Sequence, residues 1–361
     1  MKPLLLLLFA TTVSDEQVRR IHASALLIDS HNDVTSDTLK GLDIAPLREK
    51  GHTDLVRLRQ GGVGAVFFAA YVGMDYLKDN RSAHRALEMI DTIRHDIIEK
   101  HPNDFQLALS AADILAARKK GKIAALIGLE GGHAIEDSLR LLRQYYALGV
   151  RYMTLTHSGN NNWAGSSGAR DRSNNGLTEF GKQVVLEMNR LGMMVDISHV
   201  SDKTFYDVLE VSKAPPFASH SSCRALSNIA RNMTDEMIVA LAKKGGVVQI
   251  NFGCEFLNQK SADTSHWTHP ELKGPPQRAS LADAVAHIDH IVKIAGIDAV
   301  GIGSDFDGVE CAPQGLDDVS KFPALTRGLL ESGYTAAQVR KIYGENLLRV
   351  MRAVEQTARA Q

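Results

Sequence analysis

Eight times along this chain, a short β-rich apolar run ends in a polar or glycine-containing tip and gives way to residues of helical period. The runs are ALLIDSHND (25–33), VGAVFFAAYVG (63–73), IAALIGLEGG (123–132), VRYMTLTHS (150–158), MMVDISHVS (193–201), PPFASHS (215–221), GGVVQINFG (245–253) and AVGIGSDFDG (299–308). Between them, Ser82 to Lys100 carries Ala86, Met89, Ile90, Ile93 and Ile97 near a 3.6-residue period, and Thr178 to Leu191 carries Phe180, Val184, Val185 and Met188. Alternation of strand and helix predicts an α/β fold with parallel strands. Strands covered by helices on both sides read as continuous apolar runs, as these do. An open doubly wound sheet would want a glycine fingerprint in its first βα turn, and none is present. The expected fold is therefore a closed TIM-type (β/α)₈ barrel, with any site at the C-terminal ends of the strands.

The 361 residues, 44% of them hydrophobic, suffice for such a barrel as one catalytic domain over 15–361. Residues 1–14 have the layout of a short secretory signal: Lys2, the apolar run Leu4 to Ala10, then small residues. That run is too short to span a bilayer, and the C-terminal stretch RAVEQTARAQ has no lipid-anchor character. Export to a periplasmic or extracellular space is expected, with a cytoplasmic location the alternative. A net charge of −1 and the lack of basic runs argue against nucleic acid or an anionic membrane as partner. Cys223, Cys254 and Cys311 lack paired spacing, so buried free thiols are expected, with one disulfide the alternative in an oxidising compartment.

The polar tips carry the chemistry. Run one ends in His31 and Asp33, run three in Glu130, run four in His157, run five in His199, run six in His220 and run eight in Asp305 and Asp307. A single strand-end histidine is usually structural, but this many in equivalent places would converge on one face of a barrel. The two-residue period puts His31 and Asp33 on one side of their strand. Imidazole and carboxylate together suit zinc or another divalent first-row ion. His199 and His220 form a second pair, and Glu130 can bridge two ions, giving each three protein ligands. Two such ions can hold a bridging hydroxide and polarise a carbonyl, the equipment for hydrolysing an amide or ester. Asp305, expected beside strand one, is the candidate for moving the proton, and His157 for donating to the carbonyl or oxyanion. Asp307 reads as structural. Binuclear phosphotriesterase-like barrels use His-x-His and a modified lysine, where this chain has His-Asn-Asp and His157.

The stretch LEGGHAIEDSLRLLRQYYALGVRYMTLTH (129–157) resembles the signature segment of the membrane (renal) dipeptidase family. LIDSHND, EMNRLGMMVDISHVS, FASHSSCRAL, RNMTDEMI and GSDFDGV extend the resemblance from about residue 25 to beyond 345. It implies two zinc ions per chain, one on His31, Asp33 and Glu130 and the other on Glu130, His199 and His220. His157 would steady the scissile carbonyl, Asp305 would handle the proton, and Arg231 would hold the C-terminal carboxylate of a dipeptide. Members of the family often tolerate a C-terminal D-residue. The chain departs at Gly253, where mammalian members carry a bulkier aromatic residue, so the pocket shape does not carry over.

Other readings stay open at this stage: hydrolysis of another carboxylate-bearing amide or lactone, such as an N-acyl amino acid, or a non-catalytic binding barrel. His84, His95, His287 and His290 are expected to pack or face solvent. His133 could support a ligand, and Trp163 could cover the substrate or pack against its own loop. Segment 261–278 is long enough for a lid or an oligomer contact, as in a homodimer.

Overall fold

A computed structural model describes residues 13–170 and 173–360; the leader-like residues 1–12 lie outside them. Strands β1 (Leu27–Asn32), β2 (Val63–Tyr71), β3 (Phe105–Leu107), β4 (Ile123–Glu130), β5 (Val150–Thr154), β6 (Met194–Asp196), β7 (Phe217–Ser221), β8 (Val247–Ile250) and β9 (Val300–Ile302) form one sheet. Its order is β1-β2-β4-β5-β6-β7-β8-β9, every neighbouring pair is parallel, and β3 is attached to β4 outside this path. The path closes on itself where Asp33 N–H donates to the Phe306 carbonyl (2.9 Å) and Asp305 N–H to that of His31 (3.1 Å). The eight strands of this path, alternating with helices, form the (β/α)₈ barrel that the eight runs predict.

The two faces of each strand serve different cores. On β2, Val66, Phe68 and Ala70 join the large cluster with the outer helices. Ala65 and Phe67 instead join Ile28, Leu126, Tyr152 and Phe217 in the barrel interior, together with Leu347 and Met351 of the C-terminal helix. Gly128 makes the interior possible: a Cβ there would lie 2.0 Å from the Tyr152 ring. Helix starts are capped by the residues that sequence favours there. Thr178, Ser201 and Thr234 accept from backbone N–H groups three residues on, and Ser280 and Asp283 form a reciprocal capping box.

Three sequence expectations need correction. The helix from Ser82 is α-helical to Thr92 and π-helical over Ile93–Glu99. The last apolar run keeps only Val300–Ile302 as strand, because Asp305 (φ 60°) and Asp307 (φ 67°) turn the backbone left-handed. Cys254 and Cys311 form a disulfide, leaving Cys223 free and buried. The two partners are 57 residues apart in sequence, but they follow the paired strands β8 and β9, which bring their Cα atoms to 5.4 Å. Among the described residues, no helix is long and apolar enough to cross a membrane.

Candidate active site

At the C-terminal mouth of the barrel, Glu130 stands between two groups of side chains. Its Oε2 lies 3.5 Å from His31 Nε2, which is itself 3.1 Å from Asp33 Oδ2. Its Oε1 lies 3.0 Å from His199 Nε2 and 3.3 Å from His220 Nε2. The backbone explains the convergence. Asn32, between His31 and Asp33, turns the other way and donates to Thr53 Oγ1. His199 points inward from a left-handed residue (φ 66°) just past β6. The outer nitrogens are tied off, His31 Nδ1 to the Tyr152 hydroxyl at 2.8 Å and His220 Nδ1 to Ser219 Oγ at 2.7 Å, which aims both Nε2 atoms at Glu130.

Several atoms of this group fit poorly with one another alone. His31 Nε2 and Asp33 Oδ2 are buried and make no well-formed hydrogen bond. The Nε2 atoms of His199 and His220 lie 3.0 Å apart and face one carboxylate oxygen. Burial holds both imidazoles well below the ordinary histidine range, aided by nearby Arg231 and, for His220, by His31. Burial by itself would raise Glu130, but His31, His157, His199 and His220 pull it well below the carboxylate range. Imidazole nitrogens and carboxylate oxygens converging in this way, with His31, Asp33 and Glu130 on one side and Glu130, His199 and His220 on the other, make a donor set suited to divalent cations.

Asp305 and His157 stand at the edge of this set. Burial pushes Asp305 well above the carboxylate range, and the negative charges of Asp33 and Glu130 add to it against His31 and Arg231. Its Oδ2 accepts from Asn251 Nδ2 at 2.7 Å. His157 Nε2 is 3.8 Å from Glu130 Oε1, and its ring meets Tyr71 edge-on with centroids 4.8 Å apart. Both are within ligand reach, since His31, His220 and Asp305, and likewise Glu130, His157 and His199, bring donor atoms within 4.8 Å of one another.

Asp33, Glu130, His157, His199, His220 and Asp305 line a cavity of about 330 Å³ that also contains Arg231. Arg231 is 3% exposed, its Nη atoms donate to Ser221 Oγ and the His220 carbonyl, and its Nε has no partner. Among the described residues it has no ion pair within 4 Å. All eight sequence candidates, His31, Asp33, Glu130, His157, His199, His220, Arg231 and Asp305, thus meet at one mouth.

Other expectations fall outside it. Asp307 reaches the cavity rim, but its Oδ1 accepts from His52 N–H and from Arg48. His133 Nε2 contacts the Gly73 carbonyl, and Trp163 is buried against Phe180 away from the cavity. Missed from sequence were Tyr71, at the end of β2, Glu255 and Phe256, on the short helix Cys254–Leu257, and Trp267, all of which line the cavity. Only Trp267 lay in a flagged segment, 261–278. Phe256 takes the room that Gly253 leaves, since a Cβ at Gly253 would come 2.7 Å from the Phe256 ring.

Residues 15–361 match the family model described as membrane dipeptidase, peptidase family M19. An uncharacterised dipeptidase of Schizosaccharomyces pombe is 40% identical, with 96% of this chain and 84% of that protein covered. Among solved structures, the probable dipeptidase PvdM of Pseudomonas aeruginosa superposes with a TM-score of 0.85 at 26% identity, covering 95% of this chain and 99% of that one. A metallopeptidase of Rhodobacter sphaeroides, liganded with a phosphinate mimic of the dipeptide L-Ala-D-Ala, superposes with a TM-score of 0.80 at 27% identity, covering 91% and 99%.

Proposed function

The chain belongs to the membrane dipeptidase family, a family of metallopeptidases, and from that premise we propose that it hydrolyses the peptide bond of dipeptides with two zinc ions per chain. One observation carries the reading. A buried arginine without a carboxylate partner shares a 330 Å³ cavity with a carboxylate whose two oxygens face two separate donor pairs. That is a place for a small substrate with a free carboxylate beside a place for two cations.

His31, Asp33 and Glu130 would hold one ion, and Glu130, His199 and His220 the other; another divalent metal is the alternative. When bound, the metal supplies Lewis acidity, polarising the scissile carbonyl and easing deprotonation of the attacking water. The chain's own side chains do the rest. Arg231 pairs with the C-terminal carboxylate and fixes the dipeptide's direction. His157 donates to the carbonyl oxygen as negative charge develops there. Asp305, steadied by Asn251, takes the proton released by water and returns it to the leaving amine. The L-Ala-D-Ala mimic in the Rhodobacter sphaeroides relative supports acceptance of a C-terminal D-residue. The Cys254–Cys311 disulfide supports export to an oxidising compartment.

Zinc-loaded protein assayed against L-L and L-D dipeptides, their C-terminal amides and N-acyl amino acids tests this. Cleavage of dipeptide acids above all others is the expected outcome. Preferential cleavage of N-acyl amino acids would move the assignment to that class, for which Arg231 would serve equally.

A further inference from the structure

Besides the candidate ligands and Asp305, two carboxylates line the cavity, Asp307 and Glu255. Asp307 is already satisfied on one oxygen by Arg48 and a backbone N–H. Glu255 differs. It is 6% exposed, and among the described residues no lysine, arginine or histidine lies within ion-pairing distance of it. Burial pushes its carboxyl above the ordinary range and Glu310 adds to this, while a hydrogen bond from its own backbone N–H and, more weakly, Arg231 offset it only in part. A buried carboxylate without a counter-ion is costly unless a ligand provides one.

Its position says which end of a substrate would do so. Glu255 lies on the short helix Cys254–Leu257, which is fastened onto the loop that carries Arg231. Ser227 Oγ donates to the Glu255 carbonyl at 2.6 Å, and Asn232 Nδ2 to that of Phe256 at 2.9 Å. The Arg231 guanidinium stands 5.2 Å from the Phe256 ring centroid. Glu255 therefore belongs to the side of the cavity where a substrate carboxylate would sit. Phe256 stacks on half-exposed Trp267 with centroids 6.0 Å apart, an apolar wall along which a methylene stem can lie.

We propose that Glu255 is a specificity-determining residue that selects dipeptides with a lysine or arginine side chain on the C-terminal residue. This rests on the assignment of Arg231 to the substrate carboxylate. The two charges of the substrate's C-terminal residue then meet two opposite charges of the cavity, while an acidic side chain meets Glu255 as a like charge.

The test compares kcat/KM of the zinc-loaded enzyme for Ala-Lys, Ala-norleucine and Ala-Glu. Norleucine keeps the stem of lysine without its charge. The wild type should prefer lysine over norleucine at least tenfold and disfavour glutamate. Glu255→Gln should cut the lysine-to-norleucine ratio at least fivefold, and Glu255→Lys should turn the preference toward glutamate. Ratios within one preparation are independent of how much of a variant folds. Cleavage of Ala-norleucine with no lysine preference, or an unchanged ratio in Glu255→Gln, overturns the role of Glu255 and leaves the dipeptidase reading standing. Failure to cleave any dipeptide overturns both.

Discussion

The hydroxyl of Tyr152 lies 2.8 Å from Nδ1 of His31, and among the described residues no other group bonds that nitrogen. Tyr152 thereby sets which nitrogen His31 offers to the site. Tyr152→Phe keeps the ring and removes only that partner, so His31 should reorient and bind metal more weakly. Such supporting bonds are commonly worth about 10–100-fold in metal affinity. Competition with a chelator measures it, and an unchanged affinity would show that His31 is held by packing alone.

Glu130→Gln removes the anionic character of the one carboxylate that faces both donor pairs. On the proposed two-ion site, metal content should fall by more than one ion per chain, with turnover lost. Elemental analysis decides. A variant that keeps a full complement of metal would show that Glu130 bridges nothing.

Asp305→Asn preserves size and can still bond Asn251 after an amide rotation, but it cannot take up and return a proton. Both metals should stay bound while kcat falls by roughly 10²–10⁴. His199 or His220 variants should lose metal first and regain some activity with excess zinc. Loss of metal in step with activity in Asp305→Asn would make Asp305 a ligand, which its distance from His31 and His220 permits.

Arg231→Ala should lower kcat/KM for dipeptide acids by about ten- to a hundredfold, equivalent to 1.5–3 kcal/mol for a charge-assisted bond. Amidated dipeptides should start as poor substrates and lose far less. An equal loss on acids and amides would mean that Arg231 serves the fold and not the substrate.

His287 carries a prediction remote from the site. Burial holds its pKa at about 4, with smaller effects from Leu257, His290 and Asp283. Nδ1 accepts from the Cys223 N–H at 3.0 Å, so Nε2 must donate to the Leu257 carbonyl, also at 3.0 Å, and a second proton has no place. The folded pKa is below the unfolded value of 6.5, so the unfolded chain takes the proton first as pH falls. This contribution to stability is present above pH 6.5 and is lost toward pH 4. Between pH 7 and 5 the wild type should lose about 2 kcal/mol more than His287→Gln. Equilibrium denaturation at the two pH values checks this, and equal losses would refute it.

How far the sequence discloses such a molecule depends on the range of each interaction. Strands announced themselves because burial on both faces demands unbroken apolar runs, and their tips lined up because a closed barrel brings strand ends to one mouth. β3 escaped, since three residues attached outside the barrel need no such run. The π-helical stretch after Thr92 keeps apolar residues near helical spacing and so reads as ordinary helix. The disulfide and the wall of Glu255, Phe256 and Trp267 depend on which loops become neighbours in space. No local spacing records that.

Two non-glycine residues of the candidate site, His199 and Asp305, hold left-handed backbone conformations. Such conformations cost of order 1–3 kcal/mol each, and glycine would relieve most of that. The cheapest route to a sturdier barrel therefore runs through the removal of its own working side chains. Freed from any demand but endurance, the chain would drift toward glycine at these places, and its chemistry would vanish long before its architecture.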